Sequence, residues 1–285
     1  MQEATFVLKK ILMDIYDSRE STNISDWIIE DITGLSRIDR IMYNHQELTD
    51  QQKELFDQYS IQLATGMPVQ YVTGYGWFMG QRFRLNEHVL IPRPETEELV
   101  LWAMEEIMNH KKEQGPLIIL DIGTGSGCIP VVLKKKFPDV EVHSIEISPA
   151  ALDLARDNAL DHHVDIRFHL GNFLEPATWD DLPVMDLVIS NPPYIPLRDK
   201  DTIARNVLDF EPHLALFVNN TDPFIFYRAI AGFAKIKLNK NGSIFLELDA
   251  DQSRELKKLM EKYGFSAELK KDLQGRSRMM KLVWA

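Results

Sequence analysis

The chain has 285 residues, of which 45% are hydrophobic and 26% are charged. These values are typical of a globular protein with one large domain or two smaller ones, and they exclude disordered, collagen-like and fibrous chains. The 43 Asp and Glu residues outnumber the 32 Lys and Arg residues, which gives a net charge of −11. The chain therefore lacks the surplus of positive charge that holds a nucleic-acid backbone, and we expect no direct nucleic-acid partner.

The cysteine content and the hydropathy pattern predict a cytoplasmic protein. Cys128 is the only cysteine, so neither an intrachain disulfide nor a cysteine-rich zinc site can form, and we expect it to be a small buried helix residue. No stretch approaches the ~20 apolar residues that span a bilayer, and the first residues do not resemble a signal peptide. We expect a monomer without a membrane contact or a metal, since the histidines show no paired spacing.

Residues 1–66 show only helical periodicity, and we predict four short helices in a small all-α domain. One apolar stripe is predicted to face a core and consists of Phe6, Val7, Ile11 and Ile15. Because this region carries no obvious ligand motif, recognition of a protein partner is the role that suits it.

Helix ends in this region are predicted from capping residues. Ser25, Ser36 and Thr49 are candidate N-caps, the last of them with Gln52 three residues later, and Gly34 is a candidate C-terminal stop. Gly66 is a second candidate stop, at the end of the helical region. Residues 67–92 then contain Pro68, Gly74, Gly76 and Gly80 among apolar residues, which predicts an extended linker and a β-hairpin.

From residue 93 to residue 285, apolar strand-like runs alternate with helical segments. The predicted strands cover 117–120, 140–147, 164–170, 184–190 and 243–248. This alternation predicts an α/β domain whose mostly parallel sheet is covered on both faces. The last two apolar runs, AELKKDL and MMKLVWA, are too close for a helix between them, so we predict an antiparallel pair at the end of the chain.

The first predicted strand of this domain leads directly into a glycine-rich loop, whose residues are Gly123, Thr124, Gly125, Ser126 and Gly127. Glycine permits positive φ and a close approach of a ligand to the backbone. Glu146 ends the next strand, at the position where an acid accepts hydrogen bonds from ribose hydroxyls. The loop and Glu146 therefore predict a nucleoside cofactor.

The glycine spacing narrows the choice of cofactor. It is G-x-G-x-G rather than G-x-G-x-x-G, and no G-K-[ST] follows, so phosphate binding by a P-loop is not supported. A cationic, phosphate-free adenosine ligand fits better, and S-adenosylmethionine is the predicted cofactor. The alternative is a tight turn between strand and helix without a ligand.

The fourth strand-like run ends in Asn191, Pro192, Pro193 and Tyr194, at the predicted carboxyl edge of the sheet, where α/β proteins bind ligands. The Asn191 side-chain oxygen and a proline carbonyl can accept both hydrogens of a planar NH₂ group, and the Tyr194 ring can restrict its orientation. Because an amide or aniline nitrogen is a poor nucleophile, orientation and stabilisation of growing positive charge are what it needs. Asn191, Pro192 and Tyr194 are predicted catalytic residues, and all four are predicted to bind substrate; a proline-rich strand exit without function is the alternative.

Taken together, these motifs resemble those of the N5-glutamine methyltransferases of bacterial peptide chain release factors (the PrmC/HemK family). The resemblance covers nearly the whole chain, and its further segments are PVQYVTG at 68–74, VLIPRPETEELV at 89–100, EPHLAL at 211–216 and KDLQGRSR at 271–278. It implies a class I Rossmann-like S-adenosylmethionine-dependent methyltransferase domain with a mostly parallel seven-stranded sheet and an antiparallel C-terminal hairpin. The NPPY motif alone is shared with adenine-N6 and guanine-N2 methyltransferases.

The implied reaction is methyl transfer from S-adenosylmethionine to the side-chain amide N5 of the glutamine in the Gly-Gly-Gln motif of class I release factors, which modulates translation termination and leaves S-adenosylhomocysteine. By resemblance, Asn172 and Phe173 lie beside the adenine, and Asn191 contacts both cofactor and glutamine. Two positions depart from the family pattern, since Glu146 and Asn172 stand where an aspartate is usual. The resemblance also places Arg93, Glu95 and Glu97 near the mouth of the active site. Their alternative role is structural, with Pro94 starting a helix whose positive end the two acids favour.

Two other functions remain open at this stage. Methylation of a nucleic-acid base explains NPPY equally well, but it needs a basic surface that a net charge of −11 does not favour. A non-catalytic nucleoside-binding module would keep the glycine loop and would not need Asn191.

Overall fold

A computed structural model describes residues 1–43, 45–110 and 116–285. The chain divides into two compact units, one formed by Met1–Tyr75 with Ala204–Phe210 and the other by Gly76–Ile203 with Glu211–Ala285. The sequence analysis predicted limits between functional regions at residues 66 and 92. A division by compactness does not test these limits, and they stay predictions. Within the described ranges, no helix combines the length and the apolar character needed to cross a bilayer.

In chain order, the helices are α1 Gln2–Leu12, α2 Ser18–Thr33, α3 Arg37–Met42, α4 Asp50–Ala64, α5 Val69–Thr73, α6 Pro94–Asn109, α7 Cys128–Lys136, α8 Pro149–Asp161, α9 Arg205–Phe210, α10 His213–Leu216, α11 Ile225–Lys237 and α12 Ser253–Lys262. The strands are β1 Tyr75–Phe78, β2 Gln81–Arg84, β3 Ile118–Ile122, β4 Glu141–Glu146, β5 Arg167–Leu170, β6 Met185–Ser190, β7 Ile195–Pro196, β8 Phe217–Val218, β9 Leu238–Glu247, β10 Phe265–Lys271 and β11 Ser277–Trp284.

The predicted apolar stripe of α1 is wrong. Leu8 and Leu12 are the residues of this helix that are fully buried, against α2 and α4, whereas Phe6 is 69% exposed and Val7 is also exposed. Ile15 lies beyond the end of the helix. Leu8 and Leu12 have the same four-residue spacing as the predicted stripe, so periodicity alone does not decide which face packs.

Most of the predicted helix ends in this region are confirmed, and one is wrong. Ser36 caps α3, Thr49 forms a capping box with Gln52 at α4, and Gly34 ends α2 with φ +68°. Ser25 is not a cap, because α2 begins a further two turns upstream. There the carboxylate of Asp17 accepts the N–H groups of Arg19 and Glu20, both at 2.8 Å.

The predicted hairpin is present and consists of β1 and β2. Met79 and Gly80, which connect the strands, both have positive φ, the twist that suits a two-residue hairpin turn. The segment before it is only partly extended. Residues Val69–Thr73 form α5 where the sequence predicted linker, and Gly74 ends this helix with φ +76°.

The α/β unit is built on a seven-stranded sheet with the order β10-β11-β9-β6-β3-β4-β5. β9, β6, β3, β4 and β5 are parallel, whereas β11 is antiparallel to both of its neighbours. The five strands predicted from apolar runs and the antiparallel pair at the end are therefore confirmed. Because the order reverses at β3, crossovers leave this strand on both sides and open a crevice at its carboxyl end.

Both faces of this sheet are buried. Ile119 and Leu120, adjacent on β3, belong to different hydrophobic clusters because successive strand residues point to opposite faces. The cluster that contains Ile119 includes residues of α6, α7 and α8, and the cluster that contains Leu120 includes residues of α11 and α12. The long apolar runs seen in the sequence follow from this double coverage.

Candidate active site

A cavity of about 440 Å³ lies at the carboxyl ends of β3, β4, β5 and β6. Its walls come from the loops that follow these strands and from two segments that are distant in sequence. The lining residues that the sequence analysis had singled out are Gly123, Gly125, Glu146, Asn172, Phe173, Asn191, Pro192 and Pro193. This volume is in the range of small-molecule and cofactor sites.

The five predicted residues of the glycine loop have different positions. Gly123 and Gly125 line the cavity with φ of +76° and +53°, and apart from each glycine and its two chain neighbours no atom lies within 4 Å of where a Cβ would be. Gly127 instead packs on α8, where a Cβ would come within 3.0 Å of the Ala155 Cβ. The side chains of Thr124 and Ser126 are buried and are not part of the lining. The loop thus presents bare backbone to the cavity, as a close ligand requires.

Glu146 ends β4 and connects the cavity wall to the glycine loop. Its Oε2 accepts the N–H of Gly125 and its Oε1 accepts the N–H of Ser148, both at 3.0 Å. The side chain lines the cavity although only 8% of the residue is exposed. A carboxylate offers about four acceptor positions, so capacity remains for hydroxyl groups of a ligand.

Asn172 and Phe173 follow β5 and both line the cavity. The amide of Asn172 is engaged locally: its Oδ1 accepts the N–H of Leu174 at 3.1 Å, and its Nδ2 donates to Glu175 at 2.9 Å. Phe173 is 5% exposed and its ring packs against Trp179. Phe173 therefore supplies an apolar wall, and Asn172 shapes the turn that presents it.

A buried acid, Asp121, lies beneath the glycine loop at the end of β3. Its Oδ2 accepts the hydroxyl of Ser144 at 2.9 Å. Complete burial raises the pKa of Asp121 to about 7, and the nearby charge of Glu146 acts in the same direction. Asp121 is not part of the cavity lining, so it is a buried acid with a raised pKa behind the cavity wall.

The NPPY corner follows β6 and closes another side of the cavity. Asn191, Pro192 and Pro193 line it. The Tyr194 side chain lies behind them, packed against the main core, and is not part of the lining. Its hydroxyl donates to Glu247 Oε1 at 3.3 Å, and burial with the neighbouring carboxylate raises the Tyr194 pKa, so this phenol remains a donor. Three of the four predicted substrate residues therefore meet at the cavity, and Tyr194 supports them from behind.

Two residues that the sequence analysis did not name connect this corner to the interior. Thr96 in the first turn of α6 accepts a hydrogen bond from Asn191 Nδ2 at 3.1 Å and donates one to Glu247 Oε2 at 2.6 Å. Glu247 ends β9 and is 2% exposed. The sequence signal available for Glu247 was an acid inside the apolar run 243–248, near its end.

The IPRPETE segment at 91–97 is connected to the cavity through its contacts, although none of its residues is among the lining residues. Pro94 is the first residue of α6, as predicted, and Glu97 accepts the N–H of Met79 at 2.6 Å. Arg93 forms an ion pair with Glu211, whose side chain is 1% exposed and whose other oxygen accepts the Ile91 N–H at 3.2 Å. This pair joins the segment before α6, which supplies four lining residues at 87–90, to the segment at 212–215, which supplies three.

Comparison with known proteins first identifies the class. A family model described as methyltransferase small domain matches residues 103–210, and one described as PrmC N-terminal domain matches residues 4–74. The fold is similar to that of a methyltransferase from Pyrococcus furiosus, with a TM-score of 0.52, 17% identity and coverage of 82% of this chain and 98% of that chain. The sheet with its cavity is thus a Rossmann-like methyltransferase fold.

Full-length relatives then narrow the class. The chain is 40% identical over 272 residues to release factor glutamine methyltransferase of Flavobacterium psychrophilum, which covers 95% of this chain and 94% of that protein. It is 33% identical over 281 residues to the protein of the same name in Bacteroides thetaiotaomicron, with 98% and 99% covered. The chain belongs to the release factor glutamine methyltransferase family.

Proposed function

We propose that this protein transfers a methyl group from S-adenosylmethionine to the side-chain amide nitrogen of a glutamine in a class I peptide chain release factor, within its Gly-Gly-Gln motif. The observation that carries the proposal is the position of Asn191. It lies at the carboxyl end of β6, on the wall of a cavity that also contains the glycine loop and Glu146. Asn191, the proposed amide-binding group, thereby lies beside the proposed nucleoside site in a chain of this family.

The residues of the cavity fit S-adenosylmethionine. Gly123 and Gly125 leave room at the backbone, Glu146 retains acceptor capacity for ribose hydroxyls, and Phe173 forms an apolar wall for a purine. No part of this donor set is a cluster of Lys or Arg, as a phosphate ligand would favour. When bound, this cofactor supplies an electrophilic methyl group on a sulfonium.

The NPPY corner supplies the chemistry of orientation. With substrate and cofactor bound, the side-chain oxygen of Asn191 and the carbonyl of Pro192 would accept the two hydrogens of the substrate NH₂ group and would thereby orient its nitrogen for methyl transfer. The same acceptors stabilise the positive charge that grows on nitrogen as the new bond forms. Pro193 restricts the backbone of the corner, and the hydroxyl of Tyr194 donates a hydrogen bond to the buried Glu247. We assign no general base, because loss of a proton from the product nitrogen follows readily once the methyl group is attached.

The helical region is proposed to recognise the protein substrate. We assign residues 1–66 to this role, 67–92 to a linker with the hairpin, and 93–285 to catalysis. Several apolar side chains of the first region are exposed, among them Phe6, Ile38 and Ile41 at 66–71%. We also propose that the enzyme acts as a cytoplasmic monomer without a nucleic-acid or membrane partner.

One assay tests the proposed substrate against nucleic acid. The protein is incubated with methyl-labelled S-adenosylmethionine and, in separate reactions, with a release factor, its Gln→Ala variant in Gly-Gly-Gln, DNA and ribosomal RNA. We expect label in the intact release factor alone. Label in DNA or RNA would favour the base methyltransferase, and no label in any acceptor despite measurable cofactor binding would favour a non-catalytic module.

A further inference from the structure

A chain of hydrogen bonds joins Asn191 to a buried carboxylate behind it. Asn191 Nδ2 donates to Thr96 Oγ1 at 3.1 Å, and Thr96 Oγ1 donates to Glu247 Oε2 at 2.6 Å. Thr96 is 4% and Glu247 2% exposed, so water does not compete for these bonds. The chain therefore runs from the cavity wall into the protein interior.

The chemistry of the three groups fixes the direction of these bonds. An ionised carboxylate only accepts, so whenever Glu247 is ionised the hydroxyl proton of Thr96 is directed to it. The Thr96 oxygen then has only lone pairs left for Asn191, and only the NH₂ end of the Asn191 amide satisfies them. Asn191 Oδ1, on the opposite branch of the amide, is left to accept a hydrogen bond from a group in the cavity.

We propose that Thr96 and Glu247 are positioning residues that hold the Asn191 amide in one orientation, with Oδ1 presented to the NH₂ group of the substrate. This inference rests on the proposed amide methylation. With the Asn191 amide reversed, its own NH₂ group would meet the substrate NH₂ group, and two donors would face each other. Only the held orientation provides the hydrogen bond that aligns the lone pair of the substrate nitrogen.

Glu247 is surrounded by groups that bear on its ionisation. The titratable or charged side chains that face it or its hydrogen-bond partners are Glu95 of α6, Tyr194 after β6, Tyr227 of α11, Asp249 after β9 and Arg278 of β11. Burial, reinforced by Glu95, raises the pKa of Glu247 to about 7, while the hydrogen bonds from Thr96 and Tyr194 and the charge of Arg278 oppose the rise.

A pH dependence follows from this arrangement. Above about pH 7, Glu247 is ionised and the Thr96 proton points toward it. Below that pH, a protonated Glu247 is itself able to donate to Thr96, which frees the Thr96 proton for Asn191 Oδ1 and removes the preference for the productive orientation. The turnover number for release factor methylation is expected to rise with pH through about 7 and then to level.

Substitution of Thr96 provides the first test. Thr96→Val removes the hydroxyl at nearly constant volume, whereas Thr96→Ser retains it. We expect kcat to fall roughly 10–100-fold in Thr96→Val and to stay within about 3-fold of wild type in Thr96→Ser, with cofactor affinity within about 2-fold in both. Ser253→Ala is the matched control, because it removes another buried hydroxyl, one that donates to Ala250 O at the start of α12.

The pH profile of Glu247→Gln provides a second test, which stays informative if Thr96→Val folds poorly. Glutamine does not titrate, so the rise of kcat near pH 7 should disappear, while the wild type and Ser253→Ala retain it. A Thr96→Val enzyme with wild-type kcat, or a Glu247→Gln profile identical to the wild-type one, overturns the inference. Absence of release factor methylation by the wild type would instead refute the proposed function, so the two failures are distinguishable.

Discussion

At the scale of single residues, three polar side chains near the ends of parallel strands differ in their contacts and burial. Asn191 lines the cavity, Glu146 accepts the N–H of Gly125 in the glycine loop, and Asp121 is fully buried. Glu146 ends β4, Asn191 directly follows β6, and Asp121 is the penultimate residue of β3, so the sheet holds the backbone of all three. We therefore expect substitutions of Asn191 and Asp121 to affect different properties, the chemistry and the stability respectively.

Asn191→Ala is expected to separate chemistry from cofactor binding. Removal of the amide eliminates the acceptor for the substrate NH₂ group, so kcat for release factor methylation should fall at least 100-fold, which corresponds to about 2.7 kcal/mol. Cofactor affinity, measured by calorimetric titration, should change less than about 3-fold. Asn220→Ala, at an exposed asparagine that accepts the Arg198 N–H, is the control and should leave both quantities unchanged. Equal losses of turnover and of cofactor affinity would contradict the assigned role.

Asp121 should make the stability of the protein depend on pH. Its pKa in the folded chain is about 7, above the ordinary value near 4, so the folded state holds a proton that the unfolded state loses between these values. This contribution to stability is complete below about pH 4 and is lost as pH rises to about 7. Asp121→Asn does not titrate and keeps an acceptor for Ser144.

The measurement compares the free energies of unfolding of wild type and Asp121→Asn in urea. Wild type minus variant should become less favourable by roughly 1–2 kcal/mol between about pH 5.5 and about pH 8. Asp180→Asn, at an exposed acid, is the control and should show no such change. A difference for Asp121→Asn that is constant with pH would show that this acid is ionised throughout the range.

At the scale of elements, the cavity depends on segments that the sheet does not hold. Residues 87–90 and three residues of the segment 212–215 line it from outside the parallel strands. The link between them is the buried carboxylate of Glu211, which pairs with Arg93 and accepts the Ile91 N–H. Because buried charge is stable only when paired, this contact fixes both segments together.

Glu211→Ala is therefore expected to affect both binding and stability. Loss of the carboxylate leaves Arg93 and the Ile91 N–H without their partner, so we expect unfolding free energy to fall by about 3 kcal/mol and the cofactor Kd to rise roughly 10-fold. Asp153→Ala is the matched control, since it breaks an exposed pair with Arg156 at 2.8 Å and should cost less than about 1 kcal/mol. Urea denaturation and cofactor titration measure the two effects. Equal, small costs in both variants would show that the buried pair does not organise the cavity.

At the scale of the whole molecule, the reactivity of one thiol indicates whether the α/β unit is folded. Cys128 is the only cysteine of the chain and is the first residue of α7, buried between that helix and the sheet. Burial raises the pKa of its thiol to about 12, so almost no thiolate exists at neutral pH.

Thiol labelling should consequently follow unfolding of this unit. In native buffer at about pH 8, reaction with a disulfide reagent should be at least 100-fold slower than in denaturant, and urea should release one thiol per chain in the transition that circular dichroism detects. Bound cofactor should slow the reaction further by stabilising the native state. Rapid labelling of the native protein would show that α7 opens locally.

Much of this architecture follows from short-range patterns in the sequence. The glycine loop, Glu146 and the NPPY corner lie at ends of apolar runs, and five such runs predicted the parallel strands. Apolar runs are informative because a strand buried on both faces requires them along its whole length. The predictions that failed concern short helical features. They are the apolar stripe of α1, the N-cap at Ser25 and the extended conformation predicted for Val69–Thr73, which is helical.

By itself, the chain's amino-acid order determined the fold class and the positions of the glycine loop and the NPPY corner, since each is a local pattern of turn residues and apolar runs. Only the tertiary structure decided which residues contact these motifs from the protein interior. Thr96 is 95 residues from Asn191 and 151 from Glu247, and Arg93 is 118 from Glu211. No periodicity connects residues so distant, because their contact arises from the order of strands in the sheet and from the burial of charge, which require the whole fold to be assembled.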